Sequence, residues 1–202
     1  MHEGGMVRTF VAIELPDAVR AALLRVQTAL GATRLPIRPV RPEGIHLTLA
    51  FLGEIPAGRV PAVRAAVQQS AAGIPVFTLR AEGVGMFPHA RRPRVVWVGV
   101  EAEPEARAHL ETIQRRLVAA LQAARFECDA RFDPHLTLGR VQDYATAEQA
   151  AQIGAAVQAL PKLAPVAFDV AHVSIMRSDL RPGGAVYTRL DAIPLLPEAA
   201  AP

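Results

Sequence analysis

The 202-residue sequence predicts an α/β (α+β) protein with a bilobal duplicated fold, read as one domain over residues 1–202. Three observations predict it. The tetrapeptide His-Leu-Thr-Leu occurs twice, at His46–Leu49 and His135–Leu138. The same order of strand-like and helix-like segments surrounds each copy. The distance from motif histidine to a closing methionine is nearly constant, 40 positions from His46 to Met86 and 41 from His135 to Met176. A chance match of four residues would not keep that spacing. Repeats of roughly 7–88 and 93–177 are therefore expected to form two strand–helix–strand–helix–strand lobes that pack as one unit.

The first half opens with a strand-like run, Arg8–Leu15. Pro16 and Asp17 then start a helix on which Val19, Leu23, Val26 and Leu30 recur at helical spacing. The first motif follows, then a second helix carrying Val60, Val63 and Val67, and a strand-like run from Val76 to Met86. The second half repeats this with a strand at Arg94–Val100 and a helix presenting Leu110, Ile113, Leu117 and Leu121 on one face. After the second motif, Thr146 and Gln149 have the spacing of a capping box. The half closes with a strand-like run from Val166 to Met176. A further strand is expected at about 185–190, after the turn Arg181-Pro182-Gly183-Gly184. The ends, Met1–Gly5 and Pro194–Pro202, read as loose.

Composition narrows the class of protein. With 51% hydrophobic and 20% charged residues the chain is not disordered. No apolar run approaches the roughly 18 residues of a membrane span, and the N-terminal stretch lacks the apolar core of a signal peptide. The single cysteine, Cys128, allows no intrachain disulfide and no multi-cysteine zinc site. A soluble cytoplasmic protein without a membrane partner is expected. The net charge is only +3, yet the isoelectric point is about 9.7, because Lys162 is the only lysine among 22 basic residues. Such a balance permits a nucleic-acid partner without requiring one.

On a strand, alternate residues share a face. Leu47 and Leu49 then point into a core while His46 and Thr48 point outward, and the same holds for His135 and Thr137. If the halves face one another, two imidazoles and two hydroxyls line one groove. Two histidines on one substrate suit general acid–base chemistry, one accepting a proton and the other donating one. Threonine hydroxyls can donate to a phosphate oxygen without adding charge. Strict alternation places Arg140 on the leucine face, away from such a groove, unless the strand ends or bulges near Gly139. The carboxylate or cysteine ligands of a metal site are missing from both tetrapeptides. Of the other histidines, His109 reads as helix surface, His172 as a packed strand residue and His89 as loop, while His2 has no counterpart in the other half. Cys128 reads as inert, and Gly83-Val84-Gly85 lacks the third glycine of a dinucleotide loop.

At these residues the chain resembles the two-histidine phosphoesterase superfamily, and within it the bacterial and archaeal RNA 2′,3′-cyclic phosphodiesterases, historically called 2′-5′ RNA ligases. The resemblance runs through Arg8–Pro16, Glu43–Gly53, Phe87–Val100, Asp133–Arg140 and the Ser174…Pro182-Gly183-Gly184…Tyr187 stretch. It implies two facing antiparallel sheets with outer helices and a central groove. It also implies cofactor-free, metal-independent opening of a 2′,3′-cyclic phosphate at an RNA end, or on a related nucleotide, to leave a 2′-phosphate. By motif position it makes His46 and His135 the acid–base pair, with His46 preferred as acid and His135 as base. Thr48 and Thr137 become phosphate-holding hydroxyls, Arg140 a further phosphate contact and Phe51 a base-stacking or groove residue. Ligation of 2′-5′ ends, hydrolysis of a small cyclic nucleotide and non-catalytic binding of RNA ends are the alternatives, and no obligate protein partner is implied.

Overall fold

Short connections between strands decide how this chain is arranged. The computed structural model describes residues 5–160, 163–182 and 184–197. Their order is β1 (Met6–Glu14), α1 (Asp17–Ala32), β2 (Ile37–Pro39), β3 (His46–Pro56), α2 (Val60–Ala71), β4 (Phe77–Phe87), β5 (Val95–Glu101), α3 (Pro104–Ala123), β6 (His135–Val141), α4 (Ala147–Gln158), β7 (Val166–Val170), β8 (His172–Arg181) and β9 (Gly184–Pro194). The helices form where the sequence predicts them. Val19, Leu23, Val26 and Leu30 are buried along α1, and Leu110, Ile113, Leu117 and Leu121 along α3. The capping box of α4 is complete: Gln149 N donates to Thr146 Oγ1 at 3.1 Å and Thr146 N donates to Gln149 Oε1 at 3.0 Å. No described helix is long and apolar enough to cross a membrane.

The strands form antiparallel ladders in the order β7-β4-β5-β6-β3-β1-β8-β9, with β2 also pairing β6. The two four-strand groups, β7-β4-β5-β6 and β3-β1-β8-β9, meet at one register pair, Leu47↔Leu136. Both leucines are buried, and full burial of such a side chain contributes about 1.5–3 kcal/mol. The motif strands β3 and β6 thus lie side by side at the centre of a curled sheet.

The sequence repeat and the two strand groups are not coextensive. The closing strand of the first half, β4, pairs with β5 and β7 of the second half. The strand β8 of the second half pairs with β1 of the first. The seven residues between β4 and β5 allow an antiparallel return and no crossover, so β4 joins the sheet of its chain neighbour. Helices follow the same exchange: α1 lies against β6 and β7, whereas α3 lies against β3 and beside α2. One continuous apolar core runs through both halves as a result.

Three details differ from the sequence reading. The run Val166–Met176 is not one strand. It breaks at Ala171, so that β7 and β8 sit at different places in the sheet. The last strand is longer than 185–190, because β9 pairs with β8 from Gly184 to Pro194. The segment after Pro194 is tied down: Leu195 is buried, and Leu196 bridges to Pro75. The remaining terminal positions 1–4 and 198–202, with His2, and also Lys162 and Gly183, lie outside the described residues.

Candidate active site

Each motif strand carries a β-bulge just after its threonine. On β3 the register steps from Ala12↔Thr48 to Val11↔Ala50, leaving Leu49 as the extra residue. On β6 it steps from Trp97↔Thr137 to Val96↔Gly139, leaving Leu138 extra. An extra residue reverses the alternation beyond it. Past the first bulge, Phe51 pairs with Phe10 and joins the face of His46 and Thr48. Past the second, Arg140 pairs with Val95 and joins the face of His135 and Thr137. The placement of Arg140 on the leucine face by strict alternation is therefore corrected, through the bulge that alternation alone cannot locate.

The two imidazoles are held in matching ways. His46 Nδ1 lies 2.8 Å from the Gly44 carbonyl, and His135 Nδ1 lies 2.6 Å from the Asp133 carbonyl. A carbonyl only accepts, so both Nδ1 atoms carry the proton and Nε2 is the nitrogen left for proton exchange. Aromatic rings pack each imidazole. His46 stacks on Phe10 with centroids 4.6 Å apart and meets the edge of Tyr187 at 5.1 Å. His135 meets Phe87 edge-on at 5.0 Å and Trp97 at 6.4 Å. Gly85 makes room for that indole, since a Cβ there would stand 2.3 Å from the Trp97 ring.

Burial pushes the pKa of His46 down to about 4. The hydrogen bond to Gly44 and the Glu14 carboxylate work against that shift, while His135 reinforces it. In the free protein at neutral pH, His46 is a neutral imidazole. Glu14 pairs with His46 in the β1–β3 ladder. It accepts from Ser174 Oγ at 2.6 Å and from Arg189 at 3.2 Å, which hold its carboxyl below the usual range against the opposing effect of burial.

The histidines open onto two cavities that share Thr48 and Phe51. One, of about 900 Å³, is lined by His135, Phe87, Phe132 and the acidic Glu127, Asp129 and Asp133. The other, of about 350 Å³, is lined by His46, Arg8, Phe10, Arg140 and Tyr187. Five of the six residues singled out from the sequence, His46, His135, Thr48, Phe51 and Arg140, line one or both. Thr137 lines neither; it is half-buried opposite Trp97. Phe51 is exposed, with the Arg8 guanidinium 4.7 Å above its ring, so one face is already covered.

Sequence reasoning did not single out Phe10, Trp97 and Arg8, because an apolar or basic residue in a strand-like run gives no sign of which face it takes. The other histidines stand apart. His89 is in the loop between β4 and β5, and His109 is half-buried near the Phe77 ring, 5.8 Å away, rather than at the helix surface. His172, half-buried on β8, lies 3.6 Å from Glu14. Cys128 lines the larger cavity, and burial, followed by the Asp129 charge, pushes its thiol pKa up.

A model of the family described as "LigT like Phosphoesterase" matches the chain twice, over residues 13–97 and 100–187. The chain belongs to the LigT-like phosphoesterases. Each match spans one half and one His-Leu-Thr-Leu motif, so the family pattern and the internal repeat have the same period. This LigT-like chain is 32% identical over 189 residues to the RNA 2′,3′-cyclic phosphodiesterase of Methanothermobacter thermautotrophicus, covering 94% of this chain and 99% of that protein. It is 35% identical over 196 residues to the protein of the same name from Thermus thermophilus, covering 94% and 90%. The crystal structure of TT0787 from Thermus thermophilus superposes with a TM-score of 0.75 at 34% identity, covering 95% of this chain and 100% of that one. The likeness extends through both halves and includes both motif strands.

Proposed function

We propose that this LigT-like phosphoesterase is a hydrolase that opens 2′,3′-cyclic phosphates at RNA ends in the cytoplasm, leaving a 2′-phosphate, without a metal or cofactor. The observation that carries this reading is the matched tautomer of His46 and His135, each tied through Nδ1 to a backbone carbonyl and each presenting Nε2 for proton exchange. The activity named for relatives that match almost end to end supports the substrate class.

In this reading water attacks phosphorus, the P–O3′ bond breaks and the 3′-oxygen leaves as a hydroxyl. His135 Nε2 takes the proton from water. His46 Nε2 gives a proton to the 3′-oxygen. Because burial keeps His46 neutral in the free protein, it takes up a proton from solvent as substrate binds: an anionic phosphate beside it raises its pKa, as the Glu14 carboxylate also does. Thr48 and Thr137 donate to phosphoryl oxygens, and Arg140 offsets their charge as it builds in the transition state. The larger cavity, with Phe51, Phe87 and Phe132 on its walls, takes the terminal nucleoside.

Incubation of the protein with 2′,3′-cyclic-phosphate mononucleotides and oligonucleotides in the presence of EDTA tests the proposal. The expected product is the 2′-phosphate alone. A 3′-phosphate product, or activity that disappears with EDTA and returns with a divalent metal, rejects it.

A further inference from the structure

Next to the cavity of His46 lies a smaller one of about 250 Å³, lined by Arg38, Arg41, Arg140 and Arg181 together with Gly44, Gly184 and Tyr187. The two cavities share Arg140, Leu180, Ala185 and Tyr187, so they adjoin at these residues. Arg38 on β2 is the direct register partner of Arg140 on β6. Like charges directly opposite one another on a ladder destabilise a sheet. No carboxylate relieves this repulsion, because Arg38, Arg140 and Arg181 form no ion pair among the described residues. Arginines elsewhere, such as Arg64 with Asp191 or Arg177 with Asp179, do. An arrangement that is unfavourable when empty becomes favourable with an anion between the guanidiniums, whose planar forks match phosphate oxygens.

The other side of the histidine pair has the opposite character. Glu127, Asp129 and Asp133 line the 900 Å³ cavity, and its Arg131 is already bonded to Asp133 at 2.9 Å. A phosphodiester placed there meets carboxylates.

We infer that the arginine cavity is a second phosphate subsite, which binds the 5′-phosphate of the nucleotide carrying the cyclic phosphate, so that the RNA chain leaves the site past Arg38 and Arg181. This inference rests on the proposed cyclic-phosphate chemistry and adds a direction to the bound strand. Arg140 is shared between the two subsites. Arg38 and Arg181 serve only the second.

The test compares a nucleoside 2′,3′-cyclic phosphate with the same compound bearing a 5′-phosphate, in the intact protein and in Arg38→Ala and Arg181→Ala. The intact protein is expected to show the lower KM for the 5′-phosphorylated substrate. Each variant should raise that KM about tenfold, the effect of removing one charge-assisted contact, and leave the kinetics of the unphosphorylated substrate unchanged. Equal losses on both substrates, or no loss on either, overturn the subsite. A binding arm separates this result from failure of the proposed activity: calorimetry with a nucleoside 2′,5′-bisphosphate and a nucleoside 2′-monophosphate needs no turnover. If neither cyclic substrate is hydrolysed, the proposed function falls. The subsite then stands if the bisphosphate binds more tightly and the variants abolish the difference, and it falls if the two ligands bind alike.

Discussion

Leu49 and Leu138, 89 positions apart, are the same residue of the same bulge, one in each half of the chain. Both are buried. By taking up one extra position on its strand, each leucine turns the residue two places later, Phe51 or Arg140, onto the face of the motif histidine. The duplication thus preserves a local irregularity as well as a tetrapeptide.

The bulge on β6 has its own support. Its Leu138 carbonyl accepts from Val40 N and from Gln27 Nε2, each at 2.8 Å, and the same Gln27 amide donates to the Val40 carbonyl at 2.7 Å. Gln27 is buried on α1, so these bonds join that helix to the bulge. Gln27→Met keeps the volume and removes the donors, and should cost about 1–3 kcal/mol of stability by leaving buried carbonyl groups underpaired. As a positioning residue for Arg140, which acts on charge that builds in the transition state, Gln27 should also affect kcat for cyclic-phosphate substrates more than KM. Gln27→Glu, which keeps the shape but brings an acceptor against two carbonyls, should be the worse variant. Denaturant unfolding alongside steady-state kinetics checks both; unchanged kcat in a stable Gln27→Met protein removes the positioning role.

The histidine pair makes a kinetic prediction. His46→Ala and His135→Ala should each lower kcat by roughly 10²–10⁴-fold, the range of general acid–base catalysis. The double variant should lose less than the product of the two. A better leaving group at the 3′ position should rescue His46→Ala more than His135→Ala, since only the acid's task becomes easier. Rescue of His135→Ala alone exchanges the two roles, and near-native turnover by either folded single variant eliminates the pair.

The depressed pKa of His46 carries a stability consequence. An unfolded-state histidine has a pKa near 6.5, whereas the folded value is about 4. Between those values the unfolded chain binds the extra proton, so His46 makes the fold less stable as pH falls from about 6.5 to about 4. His46→Asn should flatten the pH dependence of unfolding in this window. Adding a nucleoside 2′-phosphate should raise the His46 pKa in an imidazole NMR titration, and a pKa that stays near 4 with ligand bound contradicts proton uptake by His46 on substrate binding.

Packing around His135 can be tested without touching the motif. Gly85→Ala brings a Cβ within 2.3 Å of the Trp97 ring unless the indole moves. Overpacking of this kind typically costs about 1–3 kcal/mol. Trp97→Leu in the same chain frees the space and should recover much of the stability lost by Gly85→Ala. Equal melting temperatures for Gly85→Ala and the unaltered protein show instead that the indole has room to shift.

The sequence by itself determined the duplication, the helices and the identity of the paired motif residues. Helical periodicity and the capping box at Thr146 are written within a few neighbouring positions, and the repeat compares the chain with itself. Tertiary structure decided what depends on a partner strand. Whether Arg140 faces leucines or histidines turns on one unpaired residue, and a bulge exists only relative to the strand opposite it. That β4 pairs outside its own half follows from its short hairpin to β5. The strand β8, by contrast, meets β1 only through the long-range register of the sheet, and the break at Ala171 goes with the separate sheet positions of β7 and β8. The opposition of Arg38 and Arg140 is likewise a matter of register between strands 102 positions apart. Alternation within one strand holds no information about the register of the next, which is set by bulges, hairpins and the shared core.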